Sequence, residues 1–156
     1  MSDLVHVVTI CSGNICRSPM AEKVLRAALA DAGLADRASV TSAGVGPWHA
    51  GEPMDRRAAD TVAARGLDTD HVARQIDATS LEADLLLAAT VDHVRDLRRA
   101  GVPADRIRLL RAFDPEAPDG AEIPDPYYGG PDGFDEVLAM IEAAAPGVVD
   151  WVREQV

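Results

Sequence analysis

The 156-residue chain contains little cysteine, few aromatic residues and a single lysine, Lys23. Its two cysteines, Cys11 and Cys16, are too few for a disulfide framework. Hydrophobic residues nevertheless make up 47% of the chain. This content argues against disorder and predicts a single domain over residues 1–156 with its own hydrophobic core.

Long apolar runs are absent as well. No stretch approaches the roughly 20 apolar residues that a membrane-spanning helix needs. The N-terminus has neither the basic segment nor the apolar core of a signal peptide. The sequence therefore predicts no membrane partner and a cytoplasmic location, where both thiols would stay reduced.

Basic charge is scarce, above all in the last part of the chain. The sequence has 26 acidic and 15 basic residues, a net charge of −11 and a pI of about 4.6. This balance argues against a nucleic-acid partner, because such a protein needs a basic face. Residues 114–156 contain 11 acidic residues and one basic residue, Arg153, so this segment carries −10 of the net charge of −11.

Strand and helix patterns alternate along the chain. Residues 4–10 form a mostly β-branched run that is typical of a buried strand. Ser18-Pro19 is typical of a helix start, with Ser18 as the N-cap, and Gly33 is a suitable helix end. Pro146 predicts a kink or break in the last helix. Further strands are predicted at 39–42, 84–89 and 106–110, and further helices at 55–65, 91–100 and from 134 onward.

This alternation favours an α/β fold, in which an open parallel sheet carries helices on both faces. Ligands of such sheets bind beyond the carboxyl ends of the strands, so the loop after the first strand is the expected site. A long loop is also predicted over residues 113–133, which contain five prolines and four glycines.

The loop after the first strand runs from Cys11 to Ser18 with the sequence CSGNICRS. Gly13 and Asn14 tolerate left-handed backbone conformations. The loop can therefore turn several N–H groups inward, just before a helix N-terminus, and this arrangement suits an anion. Arg17 adds a two-pronged guanidinium for phosphate oxygens. Together these features predict a phosphate-binding loop.

Cys11 is the candidate nucleophile of this loop. A positive environment favours its thiolate form, and Ser18 can donate a hydrogen bond to that thiolate. Attack on a bound phosphate monoester would give a cysteinyl-phosphate, which water then hydrolyses. The alternative is a packing role, which is common for a buried cysteine after a strand. A thiolate-rich zinc site is excluded, because Cys11 and Cys16 are the only cysteines.

Displacement at phosphorus also needs a proton donor for the leaving oxygen. Asp125 is the candidate general acid, with Pro126 to stiffen the segment and Tyr127 and Tyr128 to offer aromatic walls. The alternative is a solvated carboxylate in a turn. Composition alone favours that alternative, since eight acidic residues lie between positions 114 and 136.

Two segments carry a resemblance to a known family. The run VTICSGNICRSPMAE at residues 8–22 closely resembles the signature of the low-molecular-weight protein tyrosine phosphatases, and Asp125-Pro126-Tyr127-Tyr128 is similar to their general-acid loop. The resemblance extends nearly end to end, is closest to actinobacterial members, and includes TSAG at 41–44 and HVARQ at 71–75. It implies a three-layer α/β/α fold with a four-stranded parallel sheet in the order 2-1-3-4 and the phosphate-binding loop after the first strand.

The resemblance also implies a role for each site residue in the hydrolysis of phosphotyrosine and other aryl phosphate monoesters. Cys11 would be the nucleophile, Arg17 the phosphate clamp, and Asp125 the general acid and later base. Cys16 would lie close enough to trap Cys11 as a reversible disulfide, although a packing role for Cys16 stays open. The phosphate-binding and loop-supporting residues would be Ser12, Gly13, Asn14, Ile15, Cys16, Ser18, Ser42 and His71, and the substrate entrance would be formed by Trp48, His49, Tyr127 and Tyr128.

Some of these residues have a plain alternative when the resemblance is set aside. Ser42 is then an ordinary strand-end serine, His71 a surface histidine and Trp48 a packing residue. The resemblance further implies that no metal and no cofactor take part and that phosphotyrosine-containing proteins are the partners. The sequence leaves the oligomeric state open, and a monomer is the default expectation.

Three other functions share parts of the pattern. An arsenate reductase on the same fold needs redox cysteines downstream, and this chain has none after Cys16. A sugar-transport phosphocarrier domain passes phosphate on from a cysteine and should lack a proton donor such as Asp125. A catalytically inactive phosphotyrosine-binding protein would not need Cys11, Arg17 and Asp125 together.

Overall fold

The computed structural model describes residues 4–130 and 132–156. Residues 1–3 belong to the predicted domain and residue 131 to the predicted long loop, and both lie outside the described residues. The strands and helices, in chain order, are β1 (Val5–Cys11), α1 (Arg17–Asp31), β2 (Ala38–Gly44), α2 (Arg56–Ala63), α3 (Ala78–Leu81), β3 (Leu85–Ala88), α4 (Val91–Arg99), β4 (Ile107–Leu109) and α5 (Asp132–Gln155).

The four strands form one parallel sheet in the order β2-β1-β3-β4. β1 is central, and its Val7 lies beside Val40 of β2 and Leu85 of β3. The chain leaves β1 at Cys11, at the carboxyl edge of the sheet, where a strand order of this kind opens a crevice. The predicted α/β class, the parallel sheet and its strand order are confirmed.

Alternate side chains of the central strands enter two separate cores. Val7 and Leu87 pack with the apolar faces of α1, α2 and α5, whereas Val8 and Leu86 pack on the other side with Leu97 of α4. Because both faces of the sheet are covered, its strands are almost continuously apolar in sequence. The result is three layers, α/β/α, as expected.

The start of α1 differs from the prediction. Ser18 was expected to be the N-cap, but α1 begins at Arg17, and its N-cap is Cys16, which makes no capping hydrogen bond through its side chain. Ser18 is buried in the first turn, and its Oγ lies 2.9 Å from Cys11 Sγ. Local propensity predicts that this hydroxyl caps the helix, but in the structure it contacts the Cys11 thiol instead.

The last helix is continuous through Pro146, so of the predicted kink or break the break is wrong, and the kink stays a prediction. A proline inside a helix costs about 3 kcal/mol, and the buried apolar stripe on both sides of Pro146 offsets that cost. The short helix α3 was not predicted, although Asp77 and Ser80 form a capping box at its start. None of the helices in the described ranges is long and apolar enough to cross a membrane.

Candidate active site

The loop between β1 and α1 turns its carbonyl groups away from the cavity that it borders. Within the described residues, the backbone N–H groups of residues 13–16 donate to no protein acceptor, so they are available to an anion. Four loop oxygens accept hydrogen bonds from outside the loop: Cys11 O from the Val45 N–H (3.0 Å), Ser12 O from the Gly46 N–H (3.1 Å), Asn14 O from His71 Nε2 (2.7 Å) and Ile15 O from the Asp55 N–H (2.9 Å).

Gly44, the last residue of β2, allows the sheet to approach this loop closely. A Cβ atom at Gly44 would lie 2.7 Å from the Ser12 oxygen, 3.0 Å from the Gly13 carbonyl carbon and 3.1 Å from the Asn14 nitrogen. All three are backbone atoms, so a side chain at position 44 would displace the loop.

Asn14 holds the loop in its strained conformation. Its φ is 61°, and its side chain is fully buried. Asn14 Oδ1 accepts from the Arg74 N–H at 2.9 Å, and Nδ2 donates to Ser18 Oγ at 2.9 Å and to Ser42 Oγ at 3.0 Å. With the bond from His71 to its backbone oxygen, Asn14 is held through both its main chain and its side chain.

These bonds direct the hydroxyl proton of Ser18. Because Ser18 Oγ accepts from Asn14 Nδ2, its own proton is free to point at Cys11 Sγ, 2.9 Å away. Ser42 accepts from the same amide and donates to the buried carboxylate of Glu22 at 2.5 Å. A thiolate at Cys11 would therefore receive a hydrogen bond from Ser18.

Arg17 lies buried at the bottom of the cavity. Its Nη1 donates to the Ile123 oxygen at 3.0 Å, and its Nη2 donates to Ser12 Oγ at 3.4 Å. Nη2 also lies 3.6 Å from Asp125 Oδ2, in a pair whose side chains are 6% and 37% exposed. The cation is thus at the base of the cavity and the carboxylate at its rim.

His93, at the start of α4, is a neighbour of the loop that sequence reasoning missed. Its Nε2 lies 2.9 Å from Ser12 Oγ. Burial, with a smaller contribution from Arg17, lowers the pKa of His93 to about 4, so the imidazole is neutral at pH 7. Ser12 and His93 are 81 positions apart, and no local signal in the sequence connects them.

The segment that carries Asp125 is attached to α2. Asp125 Oδ1 accepts from the Tyr127 N–H at 3.0 Å and caps the short turn Pro126–Tyr128. Arg57 donates to the Tyr127 oxygen at 3.2 Å and pairs with Asp55, whose N–H donates to the phosphate-binding loop. Arg57 was also missed, because an exposed arginine near a helix start is ordinary in sequence.

The cavity is a deep cleft of about 600 Å³. Cys11 at its base is 3% exposed, whereas Trp48 and Tyr128 at its mouth are 66% and 87% exposed. The structure brings the predicted nucleophile, clamp, acid and entrance residues to this one cleft. Its lining consists of Cys11, Ser12, Gly13, Ile15, Cys16, Arg17, Trp48, His49, Asp125, Tyr127 and Tyr128.

The two cysteines of the cleft are both free thiols. Burial, followed by the nearby Asp55, raises the pKa of Cys16 far above its usual range, so this thiol stays protonated. Burial also lowers the pKa of His71, which keeps the imidazole neutral behind the loop. In the described part of the chain, no three His, Cys, Asp or Glu side chains are grouped as a metal site would require.

The family model for low molecular weight phosphotyrosine protein phosphatases matches residues 6–156. The chain belongs to this family. Low molecular weight protein-tyrosine phosphatase A of Mycobacterium tuberculosis is 51% identical to it, over 99% of this chain and 96% of that protein. The low molecular weight protein-tyrosine-phosphatase of Streptomyces coelicolor is 48% identical, over 97% and 95%. The crystal structure of YfkJ from Bacillus subtilis has a TM-score of 0.90 and 31% identity, over 99% of this chain and 98% of that chain.

The comparisons confirm the expected family, including its actinobacterial members, and the enzyme class. As a low-molecular-weight protein-tyrosine phosphatase, the chain acts on phosphoproteins. The phosphatase names of these relatives favour this function over the arsenate reductase and the phosphocarrier domain.

Proposed function

We propose that the chain hydrolyses phosphotyrosine through a cysteinyl-phosphate on Cys11. The observation that carries this proposal is the arrangement of one cleft, in which Cys11, Arg17 and Asp125 meet and Arg17 Nη2 lies 3.6 Å from Asp125 Oδ2. A nucleophile and a cation at the base and a proton donor at the rim are the groups that displacement at phosphorus requires.

In the first step, the free N–H groups of the loop and the Arg17 guanidinium bind the phosphoryl oxygens. The Cys11 thiolate attacks phosphorus, and the bond from phosphorus to the tyrosyl oxygen breaks. Asp125 gives its proton to that leaving oxygen. Charge on the transferring phosphoryl group is stabilised by donors that are already in position, and this is the main source of catalysis in phosphoryl transfer.

In the second step, Asp125 is a carboxylate and takes a proton from water. The water oxygen attacks phosphorus, the phosphorus–sulfur bond breaks, and inorganic phosphate leaves with the thiolate of Cys11 restored. The Ser18 hydroxyl, 2.9 Å from Cys11 Sγ, stabilises the departing thiolate. The proton taken from that water leaves Asp125 protonated again, ready for the next cycle.

The depth of the cleft supports an aryl ester as the substrate. The phosphorus must reach a buried Cys11, while Trp48 and Tyr128 at the mouth stand in solvent. A tyrosyl side chain spans that depth and can pack against the entrance aromatics, including His49 and Tyr127, whose ring centres are 6.2 Å apart. A seryl phosphate is shorter than a tyrosyl phosphate, so we expect the rim to meet its peptide before the phosphorus reaches Cys11.

The decisive experiment compares the two cysteines of the same cleft. Cys11→Ser should reduce hydrolysis of phosphotyrosine and p-nitrophenyl phosphate to background, whereas Cys16→Ser should keep measurable turnover, because the Cys16 thiol stays protonated. Phosphoserine should be hydrolysed far more slowly than phosphotyrosine by the wild-type enzyme. Substantial turnover by Cys11→Ser would contradict the nucleophile assignment, and equal rates on both phosphoamino acids would contradict the depth argument.

We infer further that the enzyme acts as a cytoplasmic monomer on phosphotyrosine-containing proteins. Every group that the mechanism uses comes from one chain, and a reducing compartment keeps both cleft thiols free. Sedimentation at assay concentration and fractionation of the cells that make the protein test these two points.

A further inference from the structure

His93 packs beneath the phosphate-binding loop. Its side chain is almost fully buried, and its Nε2 lies 2.9 Å from Ser12 Oγ. Its other ring nitrogen, Nδ1, is also buried and has no hydrogen-bond partner among the described residues. The mechanism proposed above does not use His93.

The unpartnered Nδ1 decides which nitrogen of the ring carries the hydrogen. A neutral imidazole has one N–H donor and one acceptor nitrogen, and burial next to Arg17 keeps His93 neutral at pH 7. A hydrogen on Nδ1 would be a buried donor with no acceptor, and orphaned donors are the rarer defect in proteins. We therefore assign the hydrogen to Nε2, which donates it to Ser12 Oγ.

This assignment fixes the hydroxyl of Ser12. A hydroxyl has two lone pairs and one hydrogen. One lone pair accepts from His93 Nε2 at 2.9 Å, and the other accepts from Arg17 Nη2 at 3.4 Å. The hydrogen is left for a third direction, and Ser12 lines the same cleft as Arg17 and Cys11.

We propose that His93 is a positioning residue that orients the Ser12 hydroxyl as a hydrogen-bond donor to the bound phosphoryl group. The inference rests on the proposed function, because it assumes that phosphate binds in this loop. Ser12 then adds a side-chain donor to the backbone N–H groups and Arg17. His93 does not touch the substrate, and its effect is to hold this donor ready before phosphate arrives, so that no reorientation is needed during reaction.

The test uses four variants, Ser12→Ala, His93→Leu, His93→Gln and the double variant Ser12→Ala/His93→Leu. Removal of a hydrogen bond to a charged group predicts a loss of roughly tenfold or more in kcat/KM for Ser12→Ala, with a similar rise in the inhibition constant of inorganic phosphate. His93→Leu should also lower kcat/KM, by a smaller factor than Ser12→Ala does. His93→Gln should recover most of it, because its amide N–H can replace Nε2–H.

Coupling between the two positions separates positioning from packing. If His93 acts through Ser12, the double variant is no worse than Ser12→Ala alone. Multiplied losses in the double variant, or a His93→Gln variant as impaired as His93→Leu, would overturn the inference. Thermal unfolding checks that each protein folds, and His93→Met replaces His93→Leu if the latter does not.

His6→Leu is the matched control. His6 is also partly buried, and its Nε2 also contacts a hydroxyl, Thr41 Oγ1 at 2.9 Å, but away from the cleft. Loss of a histidine–hydroxyl contact there should leave kcat and KM at wild-type values. A loss in His6→Leu equal to that of His93→Leu would show that the effect is general destabilisation, and the inference would fail.

Calorimetric titration with inorganic phosphate distinguishes failure of this inference from failure of the proposed function. The titration is made on Cys11→Ser and on Cys11→Ser/His93→Leu, since phosphate binding requires no bond cleavage. Weaker phosphate binding by Cys11→Ser/His93→Leu than by Cys11→Ser supports the role of His93, even if Cys11→Ser proves active. Equal binding by the two proteins would overturn the inference and leave the cysteine mechanism intact.

Discussion

Arg57 donates a hydrogen bond from Nη1 to the backbone oxygen of Tyr127 at 3.2 Å, and its guanidinium carbon lies 5.3 Å from the centre of the Tyr127 ring. The same guanidinium lies 4.7 Å from the ring centre of Phe134 in α5. Tyr127 follows Asp125 closely and donates its N–H to that carboxylate. Arg57 therefore sets where the proposed general acid stands above the cleft.

Arg57→Ala should lower kcat for phosphotyrosine by roughly tenfold, because small misplacements of a catalytic group are costly. Arg57→Lys should restore little, since an ammonium lacks the planar fork that serves Asp55 and the Tyr127 oxygen together. Steady-state kinetics checks both. The control is Arg56→Ala at the neighbouring exposed arginine, and an equal loss there would show that only the charge near the cleft matters.

Asp125→Asn should slow phosphotyrosine hydrolysis by about 100-fold or more, which is the usual worth of a positioned general acid. The loss should be much smaller for an aryl ester with a very good leaving group, because that oxygen departs without a proton. Rates across a series of substituted phenyl phosphates measure this dependence. Asp119→Asn, an exposed acid of the same loop, is the control, and equal losses on all esters in Asp125→Asn would contradict the acid role.

Gly44→Ala should damage both stability and turnover. The new Cβ would meet backbone atoms of the phosphate-binding loop at 2.7 to 3.1 Å. Overpacking of this kind costs about 1–3 kcal/mol and would move the N–H groups that face the phosphate. Denaturant unfolding and kcat/KM measure the two effects.

Gly101→Ala is the matched control for Gly44→Ala. Gly101 has a φ of 98° but open space around its Cβ position. Its replacement should cost about 1 kcal/mol through backbone conformation and leave kcat/KM unchanged. If Gly44→Ala also kept full activity, close approach of β2 would not be needed by the loop.

Stability should fall as the pH is lowered from about 6.5 toward 4. The pKa of His93 is lowered to about 4 in the folded protein, whereas an unfolded histidine titrates near 6.5, so the unfolded state binds more protons in this window. The stability that depends on a neutral His93 is therefore fully present above pH 6.5. It is lost as the pH falls toward 4, and the loss in the free energy of unfolding reaches about 3 kcal/mol. Burial lowers the pKa of His6 and His71 too, so they add in the same direction.

Denaturant unfolding of wild type and His93→Gln at pH 7 and pH 5 measures how much His93 contributes to the pH dependence of stability. The free energy of unfolding should drop less between the two pH values in His93→Gln, because glutamine does not titrate. Identical pH dependence in the two proteins would show that His93 does not titrate differently on folding.

Residues 8–22 predict a strand, a loop and a helix in the correct order, but they predict the wrong residue as the helix N-cap. A β-branched strand, a loop with Gly13 and Asn14, and an arginine before a helix predict an anion site wherever they occur together. The same local sequence predicts Ser18 as the helix N-cap, whereas in the structure Ser18 is buried beside Cys11. Local propensity ranks only nearby backbone partners, and here the contacts with Asn14 and Cys11 outweigh capping.

By itself, the sequence determined the alternation of strands and helices, the parallel sheet that follows from it, and Cys11 and Arg17 as candidate nucleophile and clamp. These depend on periodicity and on short segments whose chemistry is local. The candidate acid, Asp125, needed the family resemblance, because composition alone favours a solvated carboxylate there. Only the tertiary structure decided that Asp125 lies beside Arg17, that Arg57 donates to the Tyr127 oxygen and that His93 contacts Ser12. Such pairs are separated by tens of residues, and their contact is set by strand register and by packing of helices across the sheet, which no single segment encodes.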